Sequence, residues 1–193
     1  MIAAALLACA VNVAPVTLEA VIKVESAGNP IALNINHLQG EQPRPIAAME
    51  AAMLARQYIA RGYSVDLGLM QVNSAHLTEL GLTVDQVLDP CTNIAAGGRI
   101  LTAAYVEALQ SRGEGQEALK AALSIYNTGN EIAGQRNGYV ARYYGRDVVP
   151  ALAGGLHAAI MSAAAAKREV PPNPFTAATE VAFTEIQNAR FGD

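Results

Sequence analysis

The sequence predicts a mainly α-helical domain, and three observations carry that expectation. Alanine is abundant while aromatic residues make up only 5% of the 193 residues, a composition that suits closely packed helices. Apolar residues recur at helical spacing in several separate stretches. Glycine and proline punctuate the chain between those stretches. The length fits one domain with a tail, and its core needs neither a metal nor many disulfides.

Residues 1–10, M-I-A-A-A-L-L-A-C-A, are apolar but too short to span a bilayer. They lack a basic leading region, so no export signal is evident. The run Leu6-Leu7-Ala8-Cys9 has only the outline of a lipoprotein cleavage site. Residues 3–8 make one or two helical turns, and Pro15 is expected to break the chain after them. Thr17 then caps a helix in which Leu18, Val21, Ile22 and Glu25 fall on one stripe. Glu25 is the misfit. A carboxylate on an apolar stripe is costly to bury ionised, so its pKa should rise. Gly28 and Pro30 end the helix just beyond it. The negative end of the helix dipole then also disfavours the charged form. A glutamic acid protonated near neutral pH is a candidate general acid. The residues of this helix alone favour a surface glutamate or one paired with a lysine or arginine.

Residues 31–36 read as a short strand, and Gly40, Pro43 and Pro45 mark a loop. Residues 46–61 read as a helix with Ile46, Met49 and Met53 on its inner face, stopped by Gly62. In residues 63–74, Asp66 precedes Gly68-Leu69-Met70-Gln71, which suggests a buried turn entering a helix capped by Asn73 or Ser74 and closed by Gly81. Thr83 and Gln86 form a capping box for one short turn ending at Pro90. Residues 93–112 are the best-marked long helix, with Ile94, Gly97 or Gly98, Leu101, Tyr105 and Ala108 on one face. Residues 116–127 follow, with Leu119, Ala122, Leu123 and Tyr126 aligned, and residues 137–144 hold an aromatic helix or turn. The chain divides at 147: residues 1–147 form the domain, and 148–193 an Ala- and Pro-rich, weakly ordered extension with a helix over 158–167.

The formal charge of −4, with no basic run longer than Lys167-Arg168, argues against nucleic acid as a partner. His37, His76 and His157 are scattered, and no H-E-x-x-H or C-x-x-C occurs, so neither a metal nor a cofactor is expected. Phosphate-binding glycine loops and the G-x-S-x-G nucleophile elbow are also missing. Cys9 and Cys91 either pair, which suits an oxidising compartment, or remain buried thiols. What is left is Glu25, Ser26, Gln71, Asn73, Tyr126, Asn127 and Tyr139. One acid, several amides and hydroxyls and some rings suit a carbohydrate: the polar groups bond sugar hydroxyls and acetamido groups, and rings stack on sugar faces.

In order along the chain stand Glu25-Ser26-x-x-Asn29-Pro30, Gly68-Leu69-Met70-Gln71-x-Asn73, Asn93-Ile94-x-x-Gly97, Ala122-Leu123-Ser124-x-Tyr126-Asn127-x-Gly129 and Tyr139-Val140. Together they resemble the lytic transglycosylase domain of lysozyme-like fold, over roughly residues 9–145. Asp66-Leu67-Gly68-Leu69-Met70-Gln71-Val72-Asn73, Asp89-Pro90-Cys91-Thr92-Asn93 and Tyr126-Asn127-Thr128-Gly129-Asn130 resemble in particular the VirB-type members, from type IV secretion and conjugation systems. The resemblance implies cleavage of the β-1,4 bond between N-acetylmuramic acid and N-acetylglucosamine in peptidoglycan, with a 1,6-anhydro product. It implies Glu25 as the single acid and base. Gln71, Asn73, Asn127 and Tyr139 would line the cleft, Tyr126 would position Glu25 or the substrate acetamido group, and Ser26 would orient Glu25. It also implies a Cys9–Cys91 disulfide and a periplasmic location. The extension is either a docking segment for channel subunits or, the reading favoured, a disordered tail. Asp66 remains either a turn aspartate or a second carboxylate for a hydrolytic muramidase. A non-catalytic wall-binding scaffold is the reading from another class, and retention of Glu25, Gln71 and Tyr126 speaks against it.

Overall fold

The computed structural model describes residues 4–144. A helical turn, α1 (Ala4–Leu7), is followed by α2 (Pro15–Ser26). Leu18, Val21 and Ile22 are fully buried along α2, as their spacing requires. Burial of each contributes roughly 1.5–3 kcal/mol, so α2 is anchored firmly up to the turn that carries Glu25. Its start corrects the expectation. Pro15 does not break the chain but opens the helix, where its missing N–H and fixed φ cost nothing, and Thr17 lies inside the first turn. The helix closes through Ala27 in the left-handed region, one residue before Gly28.

Strand β1 (Leu33–Ile35) comes next, then α3 (Ala48–Ala60). The buried face of α3 is Ala51, Ala52 and Ala55, and Ile46, Met49 and Met53 are 90%, 83% and 57% exposed. The expected inner face was therefore the wrong one. Alanines let α3 lie close against β1 and the next strand, so small residues carry the contact and the large ones point outward.

The stretch read as a turn entering a helix is instead a hairpin, β2 (Val65–Leu67) and β3 (Val72–Asn73). Both pairings are antiparallel, in the order β1-β2-β3. Leu33, Leu67 and Val72 align across the sheet, and so do Asn34, Asp66 and Asn73. Because strand side chains alternate in direction, the first row is buried in the core and the second forms a polar row on the other face. Asp66 is thus a mid-strand residue, neither a turn nor a cap.

A single turn of 3-10 helix (Ser74–His76), capped by Asn73, leads into α4 (Leu77–Leu80), which Gly81 closes. Helix α5 (Val84–Val87) carries the Thr83–Gln86 capping box. The long helix α6 (Pro90–Arg112) opens at a proline, with Asp89 Oδ1 accepting from the Thr92 amide at 2.9 Å. That bond holds the Asp89 carboxyl below its usual range. Helix α7 (Gln116–Thr128) packs along α6, and the short helices α8 (Ala133–Arg136) and α9 (Ala141–Tyr144) follow. The extension over 148–193 and the helix expected at 158–167 lie outside the described residues.

Asn93, almost fully buried, ties α6 to the hairpin. Its Nδ2 donates to Leu67 O (2.8 Å) and Val87 O (2.7 Å), and its Oδ1 accepts from the Met70 amide (2.7 Å). Gly68 lies directly against it at φ 74°, and a Cβ there would stand 2.5 Å from Asn93 Nδ2. Position 68 therefore excludes side chains for two independent reasons. Gly97 likewise leaves room for the Met70 side chain, which a Cβ would meet at 2.7 Å. Replacing Asn93 by alanine strands three buried backbone groups. We expect a loss of about 3 kcal/mol or more, read by urea unfolding. A loss below about 1 kcal/mol would mean that water replaces the amide.

The N-terminal segment is fastened to α6. Cys9 and Cys91 form a disulfide, Asn12 Nδ2 donates to Thr102 Oγ1 at 2.5 Å, and Ala10 fits against Gly98. Among the described residues no helix is long and apolar enough to cross a membrane, and no cluster of ligands suits a metal ion.

Candidate active site

The end of α2, the polar row of the sheet, and α6, α7 and the residue 139–142 segment border one open cleft of about 1360 Å³. That exceeds the few hundred to roughly 1,000 Å³ of a small-molecule pocket, so the cleft suits an extended ligand. Glu25, Asp66, Gln71, Asn73, Tyr126, Asn127 and Tyr139 all line it, as does Ser26.

Glu25 stands in the last turn of α2, as its spacing required. Its Oε1 accepts a short hydrogen bond from the Tyr139 hydroxyl. Its pKa is pushed up from 4.5 to about 7. Burial is the main cause, the negative charge of Asp66 adds to it, and the Tyr139 hydrogen bond and Arg142 oppose it. An acid poised there is half protonated near neutrality, which is the state general acid catalysis needs.

Asp66 is held by three amides. Oδ2 accepts from Asn34 Nδ2 (2.9 Å) and Asn36 Nδ2 (3.0 Å), and Oδ1 accepts from Asn73 Nδ2 (2.6 Å). Asn73 is fully engaged within the protein: it also bonds Ser64 and caps the turn at Ala75. Its role in the cleft wall is therefore to fix Asp66.

Two residues expected to act on Glu25, Ser26 and Tyr126, bond elsewhere, while Tyr139 lines the cleft as expected. Ser26 does not touch the Glu25 carboxyl; its hydroxyl donates to Leu69 O at 2.8 Å and so ties the end of α2 to the hairpin loop. Tyr126 does not bond Glu25 either, but donates to Met70 O at 2.6 Å and braces the same loop. Tyr139 is 3% exposed, so its ring is no stacking platform, and its hydroxyl takes the positioning role expected of Tyr126. Gln71 holds the loop from inside. It adopts φ 49°, and its Nε2 donates to Gly68 O (2.9 Å) and Ala32 O (3.3 Å). Asn127 Oδ1 accepts from Asn137 Nδ2 at 3.3 Å.

Sequence reasoning passed over Asn34, Asn36, Arg142 and Tyr143. Asn34 was detectable only through the strand register that sets it opposite Asp66. Tyr143 had a signal, its i+4 spacing from Tyr139 in the N-G-Y-V-A-R-Y-Y run.

The family model described as "Transglycosylase SLT domain" matches residues 4–147. The chain is 39% identical over 146 residues to Protein virB1 of Rhizobium radiobacter, covering 75% of this chain and 60% of that protein. It is 37% identical over 134 residues to Protein virB1 of Agrobacterium fabrum (strain C58), covering 69% and 54%. It is 39% identical over 128 residues to the Type IV secretion system protein virB1 of Brucella abortus, covering 65% and 53%. The chain thus spans between 53% and 60% of the length of these curated relatives. No solved structure matches it.

Proposed function

The chain belongs to the transglycosylase SLT family, of lysozyme-like fold, and from that membership we propose that it is a peptidoglycan lytic transglycosylase. Its task is to open the cell wall locally for a type IV secretion or conjugation apparatus. The name of the Brucella abortus relative, a type IV secretion system protein, supports that setting, and a periplasmic location fits a protein whose proposed substrate is the cell wall. The extension over 148–193 lies outside the described residues; deleting it and measuring wall cleavage and channel assembly separately distinguishes a docking segment from a mere tail.

The observation that carries the reaction is the half-buried Glu25 in the cleft, hydrogen-bonded by Tyr139 and poised at a pKa of about 7. Protonated Glu25 gives its proton to the glycosidic oxygen as the bond to the muramic C1 breaks. The resulting carboxylate takes the proton of the muramic 6-hydroxyl, whose oxygen closes on C1 to form the 1,6-anhydro ring. Glu25 ends protonated, so no water is consumed. The substrate acetamido group stabilises the developing positive charge, which removes the need for a second carboxylate. Asp66 serves electrostatically, by disfavouring loss of the Glu25 proton before substrate binds. Gln71 presents its amide oxygen, which accepts no hydrogen bond among the described residues, to sugar N–H or O–H groups.

The test is mass spectrometry of muropeptides released from purified peptidoglycan, with Glu25→Gln beside the wild type. Anhydro-muropeptides from wild type alone are the expected result. Reducing-end products would transfer the assignment to a hydrolase, with Asp66 as the partner of Glu25. Binding without products from either protein would favour the scaffold reading.

A further inference from the structure

We propose that Tyr143 is a positioning residue that aims the Tyr139 proton at Glu25. Its hydroxyl donates to the Tyr139 oxygen, fixing the Tyr139 proton on Glu25 Oε1 and leaving Oε2 to carry the proton given to substrate. The inference rests on the reading of Glu25 as the acid and extends it to a residue outside the cleft-lining set.

The Tyr139 hydroxyl stands within hydrogen-bond reach of both Glu25 Oε1 and the Tyr143 hydroxyl, the latter at 2.6 Å. It owns a single hydrogen. A carboxylate can only accept, so when Glu25 is ionised that hydrogen lies on the Glu25 side. The contact with Tyr143 is then a hydrogen bond only if Tyr143 supplies the hydrogen. The same arrangement serves the protonated acid, whose Oε1 becomes the carbonyl oxygen. The chain therefore keeps one orientation through both protonation states and needs no reorganisation as the proton moves. Without Tyr143, the Tyr139 hydroxyl is free to turn. The acid proton of Glu25 then has a competing acceptor in the Tyr139 oxygen, where it is of no use to the substrate.

The surroundings keep the chain in this state. Burial is the main force pushing both phenols well above their usual range, and the charge of Glu25 adds to it, so both remain donors. Their rings meet edge to face, 5.3 Å apart at 64°, which fixes the relation between the two hydroxyls. The other groups that face Glu25 are Asp66 from β2, Arg142 from α9 and Tyr126 from α7. Tyr126 has its hydroxyl committed to Met70 O, and Asp66 to its three amides. Arg142 reaches over the Tyr139 ring at 5.8 Å. Among the described residues, no other hydroxyl bonds Tyr139.

The experiment is a double-mutant cycle on the full chain: wild type, Tyr139→Phe, Tyr143→Phe and the double variant. Phenylalanine keeps each ring in place, so only the hydroxyls are removed. The Glu25 carboxyl is titrated directly by carbon NMR, and the alkaline limb of kcat/KM on peptidoglycan is followed beside it. Each donor favours the carboxylate, so losing it raises the Glu25 pKa and moves the limb to higher pH. Tyr139→Phe should shift it by about one unit, and Tyr143→Phe by about a third of that, since one hydrogen bond strengthens the next by only a fraction. The double variant should match Tyr139→Phe alone, because Tyr143 acts through Tyr139. An unmoved titration in Tyr143→Phe would overturn the proposal, and so would a further shift when Tyr143→Phe is added to Tyr139→Phe. The NMR arm needs no turnover. If the cycle closes as stated while wild type makes no anhydro products, the positioning chain stands and the assigned reaction fails.

Discussion

Glu25→Gln is expected to lower wall cleavage by about a hundredfold to ten-thousandfold, the usual worth of a positioned acid or base, and to make the protein more stable above neutral pH. Glutamine keeps the shape and still accepts from Tyr139, so binding should survive while proton transfer is lost. The stability gain follows from the pKa. Glu25 is raised from 4.5 to about 7 in the folded protein. Below 4.5 the folded and unfolded chains both hold the proton, and burial costs no charge. Between those values the folded chain keeps a proton that the unfolded chain releases. Stability therefore falls as pH rises, by about 1.4 kcal/mol per unit, until the folded group ionises near 7. The accumulated cost is about 3 kcal/mol. A neutral amide escapes it. Urea unfolding of the variant should show a gain of about 2–3 kcal/mol at pH 8 and almost none at pH 4. An equal gain at both values would show that burial of charge is not its source.

Removing the disulfide is the other large effect. Cys9 and Cys91 are separated by 82 positions. Closing a loop of that length removes enough unfolded-chain entropy to contribute about 4 kcal/mol, a sizeable part of the 5–15 kcal/mol typical of a domain. The paired change Cys9→Ser and Cys91→Ser should lower the melting temperature by about 10 °C. The loss should centre on the segment before α2, which also rests on α6 through Ala10–Gly98 and Asn12–Thr102. Hydrogen exchange of residues 4–14 against α7 checks that location. A melting temperature unchanged by reductant would show that those contacts suffice. A bond of this kind suits a protein that works outside the reducing cytoplasm.

The helices were legible because their information is local. Leu18, Val21 and Ile22 repeat on one face, and the Thr83–Gln86 capping box announces its own turn. The same local reading located Glu25, since a carboxylate in an apolar stripe is visible in the sequence. The hairpin was not legible. Each of its strands is no longer than three residues, too short for alternation to stand out, and Leu67-Gly68-Leu69-Met70 reads as a continuous apolar run. The inner face of α3 was misread because its contact is made by alanines, which carry little hydrophobic signal beside Ile46, Met49 and Met53. Within the site, the amide cradle of Asp66 depends on strand register, and the bonds of Ser26 and Tyr126 depend on where a backbone carbonyl lies. Neither is encoded in spacing along the chain.

The bond between Tyr139 and Glu25 joins residues 114 positions apart. Synthesis delivers the acid near the beginning and its donor near the end of the domain, and contacts of such separation form late because the intervening chain must first be ordered. A nascent or prematurely terminated product that includes all of α2 but stops short of Tyr139 thus carries an acid that nothing orients. For a protein whose proposed product is a hole in the wall of its own cell, the consequence is that the proposed cutting centre is assembled only once the chain has been made past Tyr139.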